Sequence, residues 1–207
     1  MTQQRRLALL LLINLSMITG LVLVGVLAHS LSVLAAGGDF IADSLAIMLG
    51  MWAVNRRDKH DDARATTYVA LVNVCVLLSI TIFVTVQAVD RFMGGNTEVH
   101  GLPVLLVALI SALAMALGVI VLGLGAGKED LHMRAVLLDT ISDGLAAVGV
   151  ALVGAIITIT HKFFWLDAIA AILISIFIAY NALRLLRDVL KALRSHTPLS
   201  LKKPGQD

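Results

Sequence analysis

The chain has 207 residues, 59% of them hydrophobic and 14% charged, with a formal net charge of +2. Soluble domains carry roughly 25% charged residues, so a water-soluble core is excluded and lipid must be the solvent of most of this chain. Its one cysteine, Cys75, excludes a disulfide framework or a CxxC metal site. Because Cys75 lies in an apolar run, it is expected to be a buried, inert thiol.

The first apolar run, 7–28, follows Arg5 and Arg6 and ends on Val26, Leu27 and Ala28, a faint likeness to a secretory signal with its cleavage site. Signal cores run only roughly 7–15 residues, whereas this run matches the ~20 that cross a bilayer, so a retained helix is expected. A polar break at His29 and Ser30 leads to a second span, 32–54. The next break, 55–64, holds Asp58, Lys59, His60, Asp61 and Asp62. It reads as a solvated turn. The functional alternative is a weak metal site of Asp58, His60, Asp61 and Asp62 that draws cations from solution.

The third span is 67–90 and the fourth 102–124. The glycines and Lys128 that follow look superficially like a phosphate loop, but the required spacing is missing and the stretch comes after a helix. The fifth span is 132–159 and the sixth 164–186. Helical spacing continues over 180–193, where Arg184, Arg187 and Lys191, with Arg194 just beyond, would anchor the helix at lipid headgroups. Asp167, at the mouth of the sixth span, is expected to cap that helix. His29, His100, His132, His161 and His196 sit at span edges or in breaks and are assigned no role.

The expected fold is therefore an all-α membrane protein, a six-transmembrane-helix bundle. Residues 1–194 would form one membrane domain and 195–207 a short cytoplasmic tail. Lysine and arginine set the orientation, because cytoplasmic loops collect them. Alternating six spans places Arg5, Arg6, Arg56, Arg57, Lys59, Arg64, Lys128, Arg134, Arg184, Arg187, Lys191, Arg194, Lys202 and Lys203 on one side. Only Arg91 and Lys162 fall on the other. Both termini are expected in the cytoplasm.

Four residues break the apolar pattern. The second span contains Asp39 and Asp43, and the fifth contains Asp139 and Asp143, each pair spaced D-x-x-x-D. That spacing puts both members on one helix face, a turn apart. A carboxylate at the bilayer centre costs ~2.5–3.5 kcal/mol or more, so the bundle or an ion must offset it. Each pair starts about 7 residues into its span, and the two spans run in opposite directions, which brings both near the midplane. The small residues Ala35, Ala36, Gly37, Gly38, Ala42, Ser142 and Gly144 are expected to let the two helices approach closely.

Four converging carboxylates repel one another, and without a cation some must hold protons. A divalent cation favours the ionised forms and expels those protons. One constellation thus predicts both a metal site and metal–proton exchange, and alternating access would make it an antiporter. An Asp that merely bonds Thr140 or Ser142, or a proton relay without metal, accounts less well for two matched pairs.

At these residues the chain resembles the cation diffusion facilitator family. Its pattern is His, Asp or Asn four residues before an Asp in the second of six helices, and His or Asp four residues before an Asp in the fifth. Asp39, Asp43, Asp139 and Asp143 stand on those positions. The approach 32–38, the stretch 131–143, and Trp165, Leu166 and Asp167 are similar to the family as well, and the likeness covers about residues 8–198.

The resemblance implies a non-enzymatic efflux transporter of the bacterial cytoplasmic (inner) membrane, exchanging a divalent metal cation for protons. Zn²⁺ is the first expected cargo and Mn²⁺ a close second, with Fe²⁺, Co²⁺ and Cd²⁺ within range. It implies no permanent cofactor. Its implied partners are the cation, protons, the lipid bilayer and a second copy in a homodimer, with no nucleic acid. Most members continue into a cytoplasmic, metal-binding, dimerising domain. This sequence stops soon after Pro198, so a short member is expected, any dimer resting on membrane helices. Asp139 stands where zinc members typically carry His. An all-oxygen site is harder and suits Mn²⁺, whereas Zn²⁺ accepts carboxylates and leads Mn²⁺ in affinity.

Two rivals come from other classes. An intramembrane aspartyl protease also places Asp on two membrane helices, but its G-x-G-D pattern is missing at Asp39 and Asp139, and two acids do not explain two pairs. A membrane interaction protein without transport leaves the acidic pairs unaccounted for.

Overall fold

The structure, a computed structural model, describes residues 3–60, 63–94, 98–123 and 131–195. Six helices follow one another: α1 (Gln3–Leu27), α2 (Leu31–His60), α3 (Ala63–Gly94), α4 (Gly101–Leu122), α5 (Leu131–Thr160) and α6 (Trp165–Ser195). All six are long and apolar enough to cross a membrane, and no strand occurs among the described residues. The six-helix all-α reading holds.

The helix ends differ from the apolar boundaries. Hydropathy marks where lipid would end, but helical hydrogen bonding does not stop there. Arg56, Arg57 and Lys59 are good helix formers, so α2 runs on to His60 instead of breaking at Asn55. The α6 extension past 186 is likewise helical, to Ser195.

The helices divide by packing. α4 packs most extensively on α5, α3 on α6 and α1 on α2, while α2 also touches α3 and α6 and meets α5 only sparsely. The α4–α5 contact is backbone against backbone. A Cβ on Gly154 would sit 2.6 Å from the Leu105 nitrogen, and one on Gly101 would sit 2.6 Å from the Thr158 nitrogen, so only glycine fits at either position. One core cluster, with Met17, Leu21, Phe40, Val104, Met115 and Ile157, joins α1, α2, α4 and α5. A second, with Leu31, Ala35, Val84, Ala88 and Ala171, joins α2, α3 and α6.

Two expectations are corrected here. The glycines of α2 do not serve its approach to α5: Gly37 faces Leu21 and Val22 of α1, and Gly38 faces Ile80 of α3. Cys75 is exposed, on the same outer surface as Val72, Ile82 and Phe83. In a chain solvated by lipid an apolar neighbourhood does not imply burial, because the lipid-facing side is apolar too.

Asp167 is also not where its sequence position suggested. It is the third residue of α6, yet its fully buried carboxylate serves α2. Ser30 Oγ donates to it at 2.6 Å, the Leu31 amide at 2.7 Å, and Ser32 Oγ closes the set. Ser30 Oγ in turn accepts the Val33 amide at 3.2 Å, making Ser30 the N-cap of α2. From α3, Arg91 comes to 3.5 Å of the Asp167 carboxylate and donates to the His29 carbonyl. The turn beside it holds His29 at φ 54°, and the Ala28 carbonyl accepts the His100 amide at 3.1 Å. One buried carboxylate thus pins the starts of α2 and α6 and the end of α3 at one end of the bundle. At the opposite end Arg6 donates to the Leu122 carbonyl at 3.0 Å, joining the start of α1 to the end of α4.

Candidate metal centre

The acidic pairs sit on two helices that pack only sparsely against each other. Asp39 and Asp43 are successive turns of α2, and Asp139 and Asp143 are successive turns of α5. The structure brings three of them together. Asp39, Asp43 and Asp143 each offer a carboxylate oxygen within 4.8 Å of the others'. Asp39 and Asp43 are half-buried and Asp143 is buried. Asp139 is not in this close group and is the more exposed member, but it borders the same cavity as Asp43 and Asp143.

Two unit charges about 5 Å apart repel by roughly 3 kcal/mol at an effective dielectric constant near 20. Three carboxylates at this spacing therefore call for positive charge among them, as a metal cation or as protons. Hard oxygen donors converging from two helices can coordinate a divalent cation, with distances closing on binding. Neighbouring hydroxyls do not offer an alternative role for the acids. Thr140 Oγ1 donates to the Val136 carbonyl at 2.8 Å and Ser142 Oγ to the Leu138 carbonyl at 3.0 Å, each within its own helix. Their single protons are committed to backbone.

Small cavities flank the cluster along the bundle axis. One of about 80 Å³, toward the start of α1, is lined by Asn14, Asp43, Ile47, Asp139, Thr140 and Asp143, among others. One of about 20 Å³, toward the start of α2, is lined by Leu21, Val33, Ala36, Asp39 and Asp143. Asp143 borders both. The first is roomy enough for several waters and the second for about one, by the ~10–15 Å³ a water needs. At the end of the bundle where α4 begins, a wider cavity of about 380 Å³ is bordered by Glu98, His100 and His161. None of these three joins the aspartates.

One polar residue at the centre escaped the sequence reading. Asn14 of α1 is 4% exposed, and its Oδ1 has no hydrogen-bond partner. The signal was available, since Asn14 is an amide within the first apolar run. An uncharged amide in an apolar run stands out less than an ionisable group, which dominates insertion cost. The weaker metal site expected between the second and third spans falls outside the described side chains. Asp58 and His60 fall in the last turn of α2 rather than in a loop, while their side chains, and Asp61 and Asp62 entirely, lie outside the described residues.

Comparison with known proteins points the same way. The cation efflux transmembrane domain matches residues 7–194. The zinc transporter ZitB of Yersinia pseudotuberculosis is 34% identical over 181 residues, covering 84% of this chain and 57% of its own length. ZitB of Escherichia coli is 33% identical over 184 residues, covering 86% and 58%. A cadmium, cobalt and zinc/H(+)-K(+) antiporter of Bacillus subtilis is 27% identical over 200 residues, covering 91% and 64%. The chain thus spans somewhat under two thirds of the length of these relatives.

Proposed function

Because this chain belongs to the cation efflux family, we propose that it moves divalent transition-metal cations out of the cytoplasm in exchange for protons, through Asp39, Asp43, Asp139 and Asp143. The observation that carries this reading is the meeting of three carboxylates within 4.8 Å inside apolar helices. A cation there offsets the cost of burying them, and its departure leaves a site that must take up protons. Cavities on both sides of the cluster, with Asp143 bordering each, are what a carrier needs to reach its cargo from either face. The excess of Lys and Arg at the end where α1 begins and α6 finishes supports placing that end in the cytoplasm of a bacterial cell.

Zn²⁺ is the first cargo, in keeping with the named activity of the ZitB relatives. Mn²⁺ is second because every donor among the aspartates is oxygen. The direct test uses proteoliposomes with an acidic lumen, where outward proton flow should drive Zn²⁺ inward. Uptake should rise at least several-fold over vesicles with equal pH. Equal uptake with and without the gradient would remove proton exchange from the proposal.

Asp139 is the residue to alter for selectivity. Its place at the edge of the cluster allows a new donor without loss of the three close carboxylates. Asp139→His substitutes a softer nitrogen ligand, so the Zn²⁺/Mn²⁺ preference in a competition assay should move toward Zn²⁺ by about tenfold, near 1.4 kcal/mol. An unchanged ratio would mean that donor hardness at Asp139 does not set the choice.

A further inference from the structure

Asn14 lies deep in α1, a helix to which the family pattern assigns no acid. Its Oδ1 is buried without a donor, and it borders the same cavity as Asp43, Asp139 and Asp143. Leu10, Ile47 and Met115 of that lining are apolar and supply nothing to it. Thr140, the other neutral polar group there, has its hydroxyl committed to the Val136 carbonyl. A buried carbonyl oxygen without a protein donor is unfavourable, and its partner must come from the cavity it shares with three aspartates, as a water or as a cation they hold.

We propose that Asn14 is a specificity-determining ligand: its Oδ1 gives the cation held by the aspartates a neutral oxygen donor from α1. This rests on the reading of the aspartates as the cation site. The chemistry predicts a direction. Zn²⁺ is satisfied by four ligands in a tetrahedron. Mn²⁺ favours octahedral oxygen, and neutral carbonyl oxygens suit it. An additional oxygen from α1 therefore helps the cation of higher coordination number more than it helps Zn²⁺, and it makes α1 part of the site.

The test is equilibrium binding of Zn²⁺ and of Mn²⁺, each alone, to the full chain in detergent by titration calorimetry, with thermal unfolding measured alongside. Asn14→Ala and Asn14→Leu should each weaken Mn²⁺ binding about tenfold and Zn²⁺ binding less than about threefold. Asn14→Leu removes the orphaned oxygen at similar volume, so its melting temperature should hold or rise. A ratio of the two affinities equal to wild type in the folded variants overturns the proposal. Loss of folding in both variants overturns it too, by showing that the amide is structural. Asp143→Asn separates the two readings: if it binds both metals as wild type does, the aspartate site itself is wrong. If it loses both while the Asn14 variants keep the wild-type ratio, only the role of Asn14 falls.

Discussion

Asp143→Ala should reduce gradient-driven Zn²⁺ uptake into proteoliposomes by at least about 100-fold, and Asp43→Ala should do the same. The reason is position. Asp143 is the one member of the cluster that borders both cavities, and Asp43 lies within 4.8 Å of it on the facing helix. At about 4 Å a unit-charge pair is worth roughly 4 kcal/mol even at an effective dielectric constant of 20, and a dication doubles the attraction. Desolvation takes back part of this, but a net loss of about 2.7 kcal/mol already gives 100-fold. Asp139→Ala should cost less, because Asp139 stands outside the close group of three. Initial rates of uptake decide the matter. Wild-type rates in both the Asp43 and Asp143 variants would place the transport site elsewhere.

The second large effect is on stability. Asp167→Ala should lower the unfolding free energy by about 3 kcal/mol, the low end of the cost of removing one partner from a buried pair. For a chain of this size that is a drop of roughly 6–12 °C in melting temperature. The carboxylate accepts from Ser30, Leu31 and Ser32 and faces Arg91, so its loss takes away the counter-charge of a guanidinium and the acceptor of two hydroxyls and a helix-start amide together. Asp167→Asn keeps one acceptor oxygen and should lose less. Thermal unfolding in detergent measures both, and an unchanged melting temperature in the Ala variant would mean that the network contributes nothing net.

The sequence made the six helices legible because lipid leaves little choice: a run of about 20 apolar residues has one way to satisfy its backbone. It made the acidic pairs legible for the same reason, since Asp39, Asp43, Asp139 and Asp143 are costly wherever they face lipid. What stayed hidden depends on partners far along the chain. Asp167 looked like a cap for its own helix, but its donors lie more than a hundred residues earlier, at Ser30 to Ser32. Gly37 and Gly38 sit beside Asp39 in sequence, yet they face α1 and α3. The bare glycine contact that matters most, Gly101 against Gly154, carries no local motif. Cys75 misled because an apolar stretch in this solvent has two apolar sides, one facing protein and one facing lipid.

The sparse seam between α2 and α5 has a mechanical meaning. α5 is locked to α4 by backbone contact at Gly101 and Gly154, and α2 is pinned to α3 and α6 through Asp167. The two helices that hold the aspartates therefore have different tight partners, and their direct contact with each other is sparse, the core cluster that includes α1 joining them instead. Like charges there would push α2 and α5 apart, and a cation held by the aspartates would draw them together. On the proposed reading, cohesion along this seam would depend on occupancy, so the ion would act as both the load and the bolt.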